Sequence, residues 1–127
     1  MKRLLLDTHV VLWWLGNDPR LGARARGVIA DQSNDVLVSA VVGFEIAVKR
    51  KLGKLRAPDN LADEVERSGF TVLPVSMTHG QEAGALPMYH RDPFDRLQIA
   101  QARVNDLTLV TADHACRQYD VSWLCTD

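Results

Sequence analysis

Four times along this chain a short apolar run stops at a small polar or acidic residue, and a helical pattern of apolar residues follows it. That rhythm constrains the fold more than any other feature. Residues 3–7 read as a short buried strand, with Thr8 placed to cap a helix over 10–16. After a turn at 17–19 and a helix over 22–31, the β-branched run 36–39 reads as a second strand. It passes at once into a helix over 40–52, with Ser39 as its cap and Gly53 as its stop. Pro58 at a first helical position and Gly69 beyond the last turn bracket a further helix, followed by a third strand over 70–75 and a brief helix over 78–85. In DPFDRLQIAQARVN, Asp92 caps a helix, Pro93 takes its first position and Asp95 sits in its first turn, where the helix dipole favours negative charge. A fourth strand over 107–111, a short helix from Asp113 and a small strand over 121–124 complete the pattern. Parallel neighbours need a crossover, usually helical, so the alternation predicts an α/β fold with helices covering both faces of a parallel sheet.

With 127 residues, 46% of them apolar and 24% charged, the chain is expected to form one domain, residues 1–127, around a single compact core. No repeat or linker divides it. Fifteen Lys and Arg against sixteen Asp and Glu leave a formal charge of -1, so no global basic field draws it to nucleic acid and any polyanion site must be local. The opening MKRLLLDTHVVLWWLG is interrupted by Asp7 and His9 and reads as mature structure rather than a signal peptide. No stretch approaches the roughly 18 apolar residues of a membrane span, and Cys116 and Cys125 form neither a CxxC pair nor a disulfide scaffold. A cytoplasmic protein without a membrane association is expected.

Ligands of open α/β sheets bind beyond the carboxyl ends of the strands, and the residues placed there are mostly acidic. Asp7 ends the first strand, Asp113 follows the fourth, and Asp95 opens a helix whose first turn can face the same edge. Glu45 joins them from the second turn after Ser39, an acid amid Val41, Val42, Ile46, Ala47 and Val48. Carboxylates converging on one edge repel, and a hard divalent cation such as Mg²⁺ or Mn²⁺ relieves that repulsion. Each acid also has a plainer reading. Asp95 and Asp113 suit helix starts, Asp7 suits a strand-to-helix turn, and Glu45 is spaced for an exposed pair with Lys49. Their joint placement carries the argument.

The segments LLLDTHVVLWWL, SAVVGFEIAVKRKLGKL, HRDPFDRLQIAQA and LVTAD, in this order and spacing, resemble the PIN domain, especially the toxin half of bacterial VapBC toxin–antitoxin pairs. The resemblance covers nearly the whole chain. It implies a three-layer α/β/α fold with a central parallel sheet of four to five strands, and an endoribonuclease that cleaves single-stranded RNA with Mg²⁺ or Mn²⁺. By motif match the metal-holding and catalytic acids are Asp7, Glu45, Asp95 and Asp113, with Ser39 and Thr111 as supporting hydroxyls. It further implies a cognate antitoxin and a homodimer, with DNA reached only through the antitoxin. Gly43 and Phe44 depart from the bulky aliphatic and Trp that similar chains often carry beside the glutamate.

For substrate, Arg91 and Arg96 flank Asp95 and are the expected RNA contacts. Lys49 heads a basic run with Arg50, Lys51, Lys54 and Arg56 that suits either a polyanion or a helix carboxyl end. His9, His79, His90 and His114 are scattered and read as surface or structural residues. Adjacent Trp13 and Trp14 cannot both face a core, which suits the rim of a core or an interface. Three other readings stay open: a phosphatase with Asp7 as nucleophile, weakened by His9 where a second acid is wanted; a PIN domain in RNA processing; and a non-catalytic module with an acidic pocket.

Overall fold

The computed structural model describes residues 1–127. Its elements run β1 (Arg3–Leu6), α1 (Thr8–Leu15), α2 (Ala23–Ala30), β2 (Asp35–Ser39), α3 (Ala40–Lys51), α4 (Leu61–Arg67), β3 (Thr71–Leu73), α5 (Met77–Ala85), α6 (Pro93–Val104), β4 (Thr108–Val110), a 3₁₀ turn (His114–Gln118) and β5 (Trp123–Leu124). The five strands are parallel and stand in the order β3-β2-β1-β4-β5. Leu5 of β1 is paired with both Leu37 and Leu109. The chain lays strands outward from β1 to β3 on one side, then returns across the sheet to place β4 on the other side of β1. That reversal opens a crevice beyond the carboxyl ends of β1 and β4, where ligands of such sheets bind.

Two cores, one on each face, replace the single core expected from composition. Period-two alternation sends Leu4, Leu6, Val36 and Val38 to one face, where they meet Val10, Val11, Ile29, Val42 and Val65 from α1 to α4. Leu5, Leu37 and Leu109 point the other way, against Ala83, Ile99 and Ala102 of α5 and α6. Completely burying one such leucine is worth about 1.5–3 kcal/mol, and the central strand supplies three. The three-layer α/β/α arrangement follows from that alternation.

Several helix starts differ from the sequence reading. Asp7, not Thr8, caps α1: its Oδ1 accepts the Val10 N–H at 3.0 Å, so β1 ends at Leu6 and the helix begins at Thr8. Pro58 lies before the helix it was expected to open, which starts after Asn60. The third strand shrinks to Thr71–Leu73 because only those residues find partners on β2. Ser39 and Asp92 cap α3 and α6 as expected, and Gly53 and Gly69 take φ of +72° and +81° just past helix ends, a region open mainly to glycine. Trp13 and Trp14 both pack at the rim of the first core. Trp14 lies 5.6 Å from Phe70 and donates to Ser68 Oγ at 3.2 Å. No helix is long and apolar enough to cross a membrane.

Candidate metal centre

The crevice at the β1/β4 reversal is built from three different supports. Asp7 follows β1 directly and its N–H bonds the Val110 carbonyl at 3.1 Å, which stitches the first acid to the end of β4. Asp113 follows β4 by a tight turn in which its N–H donates to Thr111 Oγ1 at 3.0 Å; its Oδ1 then accepts the Ala115 N–H and starts the 3₁₀ turn. Asp95 is carried in by the first turn of α6, whose position Asp92 fixes by accepting the N–H groups of Phe94 and Asp95. Asp7, Asp95 and Asp113 line one narrow cleft together with His90, Gln98 and Thr111.

Glu45 is brought close but stands behind that cleft. It is 1% exposed, and its carboxylate accepts the Thr8 hydroxyl and the Lys49 ammonium, the latter at 2.5 Å. The expected i, i+4 pair therefore exists, with its carboxylate buried and its ammonium half-buried rather than both exposed. Thr8 Oγ1 in turn accepts from Gln98 Nε2 at 3.2 Å, so a chain of hydrogen bonds runs from Lys49 through Glu45 and Thr8 to a residue of the cleft. Gln98 Oε1 is buried with no partner. Ser39 is consumed in capping α3, its Oγ accepting the Val41 N–H at 3.2 Å.

His90 is the residue that sequence reasoning placed elsewhere. Its Nδ1 accepts the Asp92 N–H at 3.2 Å, which leaves Nε2–H as the donor, and that Nε2 lies 2.6 Å from Asp113 Oδ2 and 3.0 Å from Asp95 Oδ2. One ligand atom from each of His90, Asp95 and Asp113 falls within 4.8 Å of the others. The signal was its place two residues before Asp92, on the loop that leads into α6, but spacing alone does not distinguish it from the other histidines.

The acids are held in unequal states. Burial raises the Asp7 carboxyl above its ordinary range, with the Thr111 hydroxyl and the Val10 N–H pulling the other way. Asp95 is pushed up to about 7, first by burial and then by the Asp92 charge, with Glu45 and Asp7 adding to it and His90 opposing. Asp113 goes down instead: burial would raise it, but the Ala115 N–H and His90 outweigh that. Adjoining carboxyls that resist ionisation want a cation. The donor set fits a hard divalent ion, because it offers three carboxylates, the unpartnered Gln98 amide oxygen and the Thr111 hydroxyl, and oxygen is what Mg²⁺ and Mn²⁺ take.

Of the expected RNA contacts, Arg91 is exposed and follows His90 of the cleft in the chain. Arg96 is not available: it is 7% exposed, and its guanidinium donates to the carbonyls of Ala83, Gly84, Leu86, Pro87 and His90, tying the α5–α6 loop to α6. A first-turn arginine on the inner face of α6 meets carbonyls of the end of α5 and of the loop after it, not solvent. Lys49 is half-buried on Glu45.

The chain has a parallel five-stranded α/β/α fold with acids gathered at its switch point, and the family model of the PIN domain matches residues 4–122. The chain belongs to the PIN domain family. It is similar to ribonuclease VapC22 of Mycobacterium tuberculosis, 28% identical over 122 residues that cover 94% of this chain and 93% of that one. Ribonuclease VapC16 of the same organism is 38% identical over 69 residues, about half of each chain. Among solved structures, VapBC2 from Rickettsia felis bound to a promoter DNA fragment superposes with a TM-score of 0.73 at 16% identity, over 98% of this chain and 99% of that one. DNA-bound VapBC from Salmonella typhimurium gives 0.68 at 16% identity over the whole of both chains. At such identity the structural likeness is one of fold.

Proposed function

We propose that this protein is a metal-dependent endoribonuclease that hydrolyses single-stranded RNA, and that it acts as the toxin of a toxin–antitoxin pair. The observation that carries the reading is the convergence of Asp7, Asp95, Asp113 and His90 on one cleft at the strand-order reversal. The relatives named as ribonucleases and the fold shared with chains of VapBC complexes support it. A resident Mg²⁺ or Mn²⁺ supplies charge neutralisation at the scissile phosphate and a more acidic water. Asp7, Asp95 and Asp113 hold the ion. His90 fixes the orientation of the last two by donating from Nε2, while Glu45 keeps Thr8, and through it Gln98, in place from behind and does not itself face the water. Arg91 is the assigned phosphate contact, and Lys49 serves Glu45.

As a toxin the protein has a cognate antitoxin that delivers a side chain to the acidic cleft, works in the cytoplasm, pairs with a second copy of itself, and meets DNA only through the antitoxin. The test is direct. Purified protein should cut single-stranded RNA with Mg²⁺ or Mn²⁺ and be silent in EDTA, and added antitoxin should suppress cutting. Undiminished cutting in chelator would remove the metal mechanism; full-rate cutting in the complex would place the antitoxin away from the cleft.

A further inference from the structure

Beside the acidic cleft lies a wider hollow that the proposed chemistry does not use. It has a volume of about 240 Å³ and shares two walls with the cleft, Thr111 and Asp113. On its other side the Arg117 guanidinium lies over the Trp123 indole, 4.2 Å from the ring centroid. Arg117 also donates to Cys125 Sγ at 3.0 Å, which steadies it in that stacked position. Trp123 is 39% exposed, on the edge strand β5, and belongs to neither core. An indole that contributes to no core and carries a guanidinium over its ring, with both side chains lining the hollow, is organised for a flat partner. The guanidinium has a second planar face, and lysine could not offer one.

We propose that this hollow is a nucleobase subsite, in which Arg117 and Trp123 take the base of a nucleotide flanking the phosphate at Asp7, Asp95 and Asp113. The inference rests on the ribonuclease reading for its ligand and adds to it where the RNA lies. A base suits the hollow better than a phosphate does. Asp113 and Asp127 stand in its wall and repel a second phosphate, whereas a neutral heterocycle stacks on the free face of the guanidinium that the indole carries without that repulsion. Because every base has a flat face, the subsite positions single strands with little sequence preference, and a duplex, whose bases are already stacked, cannot use it.

The experiment compares a short single-stranded RNA with an abasic sugar–phosphate oligomer of the same length, binding each in Mg²⁺ to protein carrying Asp95→Asn to prevent cleavage. The parent of the series should prefer the base-bearing RNA. Trp123→Leu and Arg117→Lys should each weaken that RNA roughly five- to one-hundred-fold while leaving the abasic oligomer nearly unchanged, so that the preference collapses. Trp123→Phe, which keeps a stacking ring on β5, should retain most of it and controls for folding of the edge strand. Arg117→Lys binding both oligomers like the parent would make Arg117 a simple charge contact and overturn the subsite. Equal weakening of both oligomers in the two variants would do the same. Loss of antitoxin binding with RNA binding intact would make the hollow a protein-docking surface, also overturning it. If unmodified protein neither binds nor cuts RNA, the ribonuclease reading fails; if it cuts and the variants bind like the parent, the subsite alone fails.

Discussion

Asp95 ionises near pH 7 when folded but near 3.8 when unfolded, and burial is the first cause. Between those values the folded state binds more protons than the unfolded one, so the metal-free protein should lose stability as pH rises from about 4 to about 7. Asp95→Asn should flatten that slope. Denaturant melts in EDTA across this range check it, and an unchanged slope in the variant would mean that Asp95 is not the group responsible. Arg96 makes a contrasting case. Removing its guanidinium strands five carbonyls that it now bonds, so Arg96→Met should cost about 2–4 kcal/mol in denaturant melts. Arg91→Ala should leave stability alone and weaken RNA binding more at low salt than at high salt. Cys116 is buried and its thiol pushed up to about 11, first by burial and then by the Asp113 charge. At pH 8 iodoacetamide should therefore label Cys125 well before Cys116, as peptide mass analysis would show.

At the scale of the element, α3 and α6 carry most of the consequence. Gly43 lies in the exposed interior of α3, and a methyl group there would meet no atom within 4 Å. Gly43→Ala should accordingly raise stability by about 0.5–1 kcal/mol with no loss of activity, measured by denaturant melts and RNA cleavage. The departure from related patterns at this position thus weakens a helix without opening a hole behind Glu45. At α6 the cap and the site are coupled. Asp92→Ala removes the acceptor of two N–H groups and should cost about 0.5–2 kcal/mol. Activity should fall further than that cost implies, because the first turn that the cap fixes is the one that aims Asp95.

For the whole molecule, the proposed metal site makes a prediction about stability. Asp7 directly follows the first strand while Asp95 and Asp113 come from the last third of the chain, so an ion held as proposed would tie the ends of the sequence across the switch point. Mg²⁺ at a hundred times its Kd should add about 2.7 kcal/mol of stability, and Asp7→Asn should shrink that gain while leaving the metal-free protein as stable as before or more so. Thermal melts with Mg²⁺ and with EDTA decide it. A variant that is destabilised without metal yet keeps the whole Mg²⁺ shift would leave Asp7 as only the cap of α1.

The α/β alternation, the parallel sheet and the acids at strand ends were legible in the sequence because each depends on neighbours in the chain. LLLD and VLVS bury alternate side chains on two faces, Ser39 and Asp92 cap the helices that follow them, and Asp7 and Asp113 stand where strands stop. What only the tertiary structure decided depends on groups far apart in sequence. His90 became the donor shared by Asp95 and Asp113, because the turn after β4 meets the start of α6, and Glu45 withdrew behind Thr8 and Gln98, because α1, α3 and α6 meet there. Arg96, which sequence reasoning offers to RNA, was claimed by carbonyls of the end of α5 and the loop that follows it, since only the packing of α5 on α6 determines which face of that helix sees solvent. Local chemistry sets where a chain turns from strand to helix; burial, which no single segment can bring about, sets what each polar group finds when it arrives.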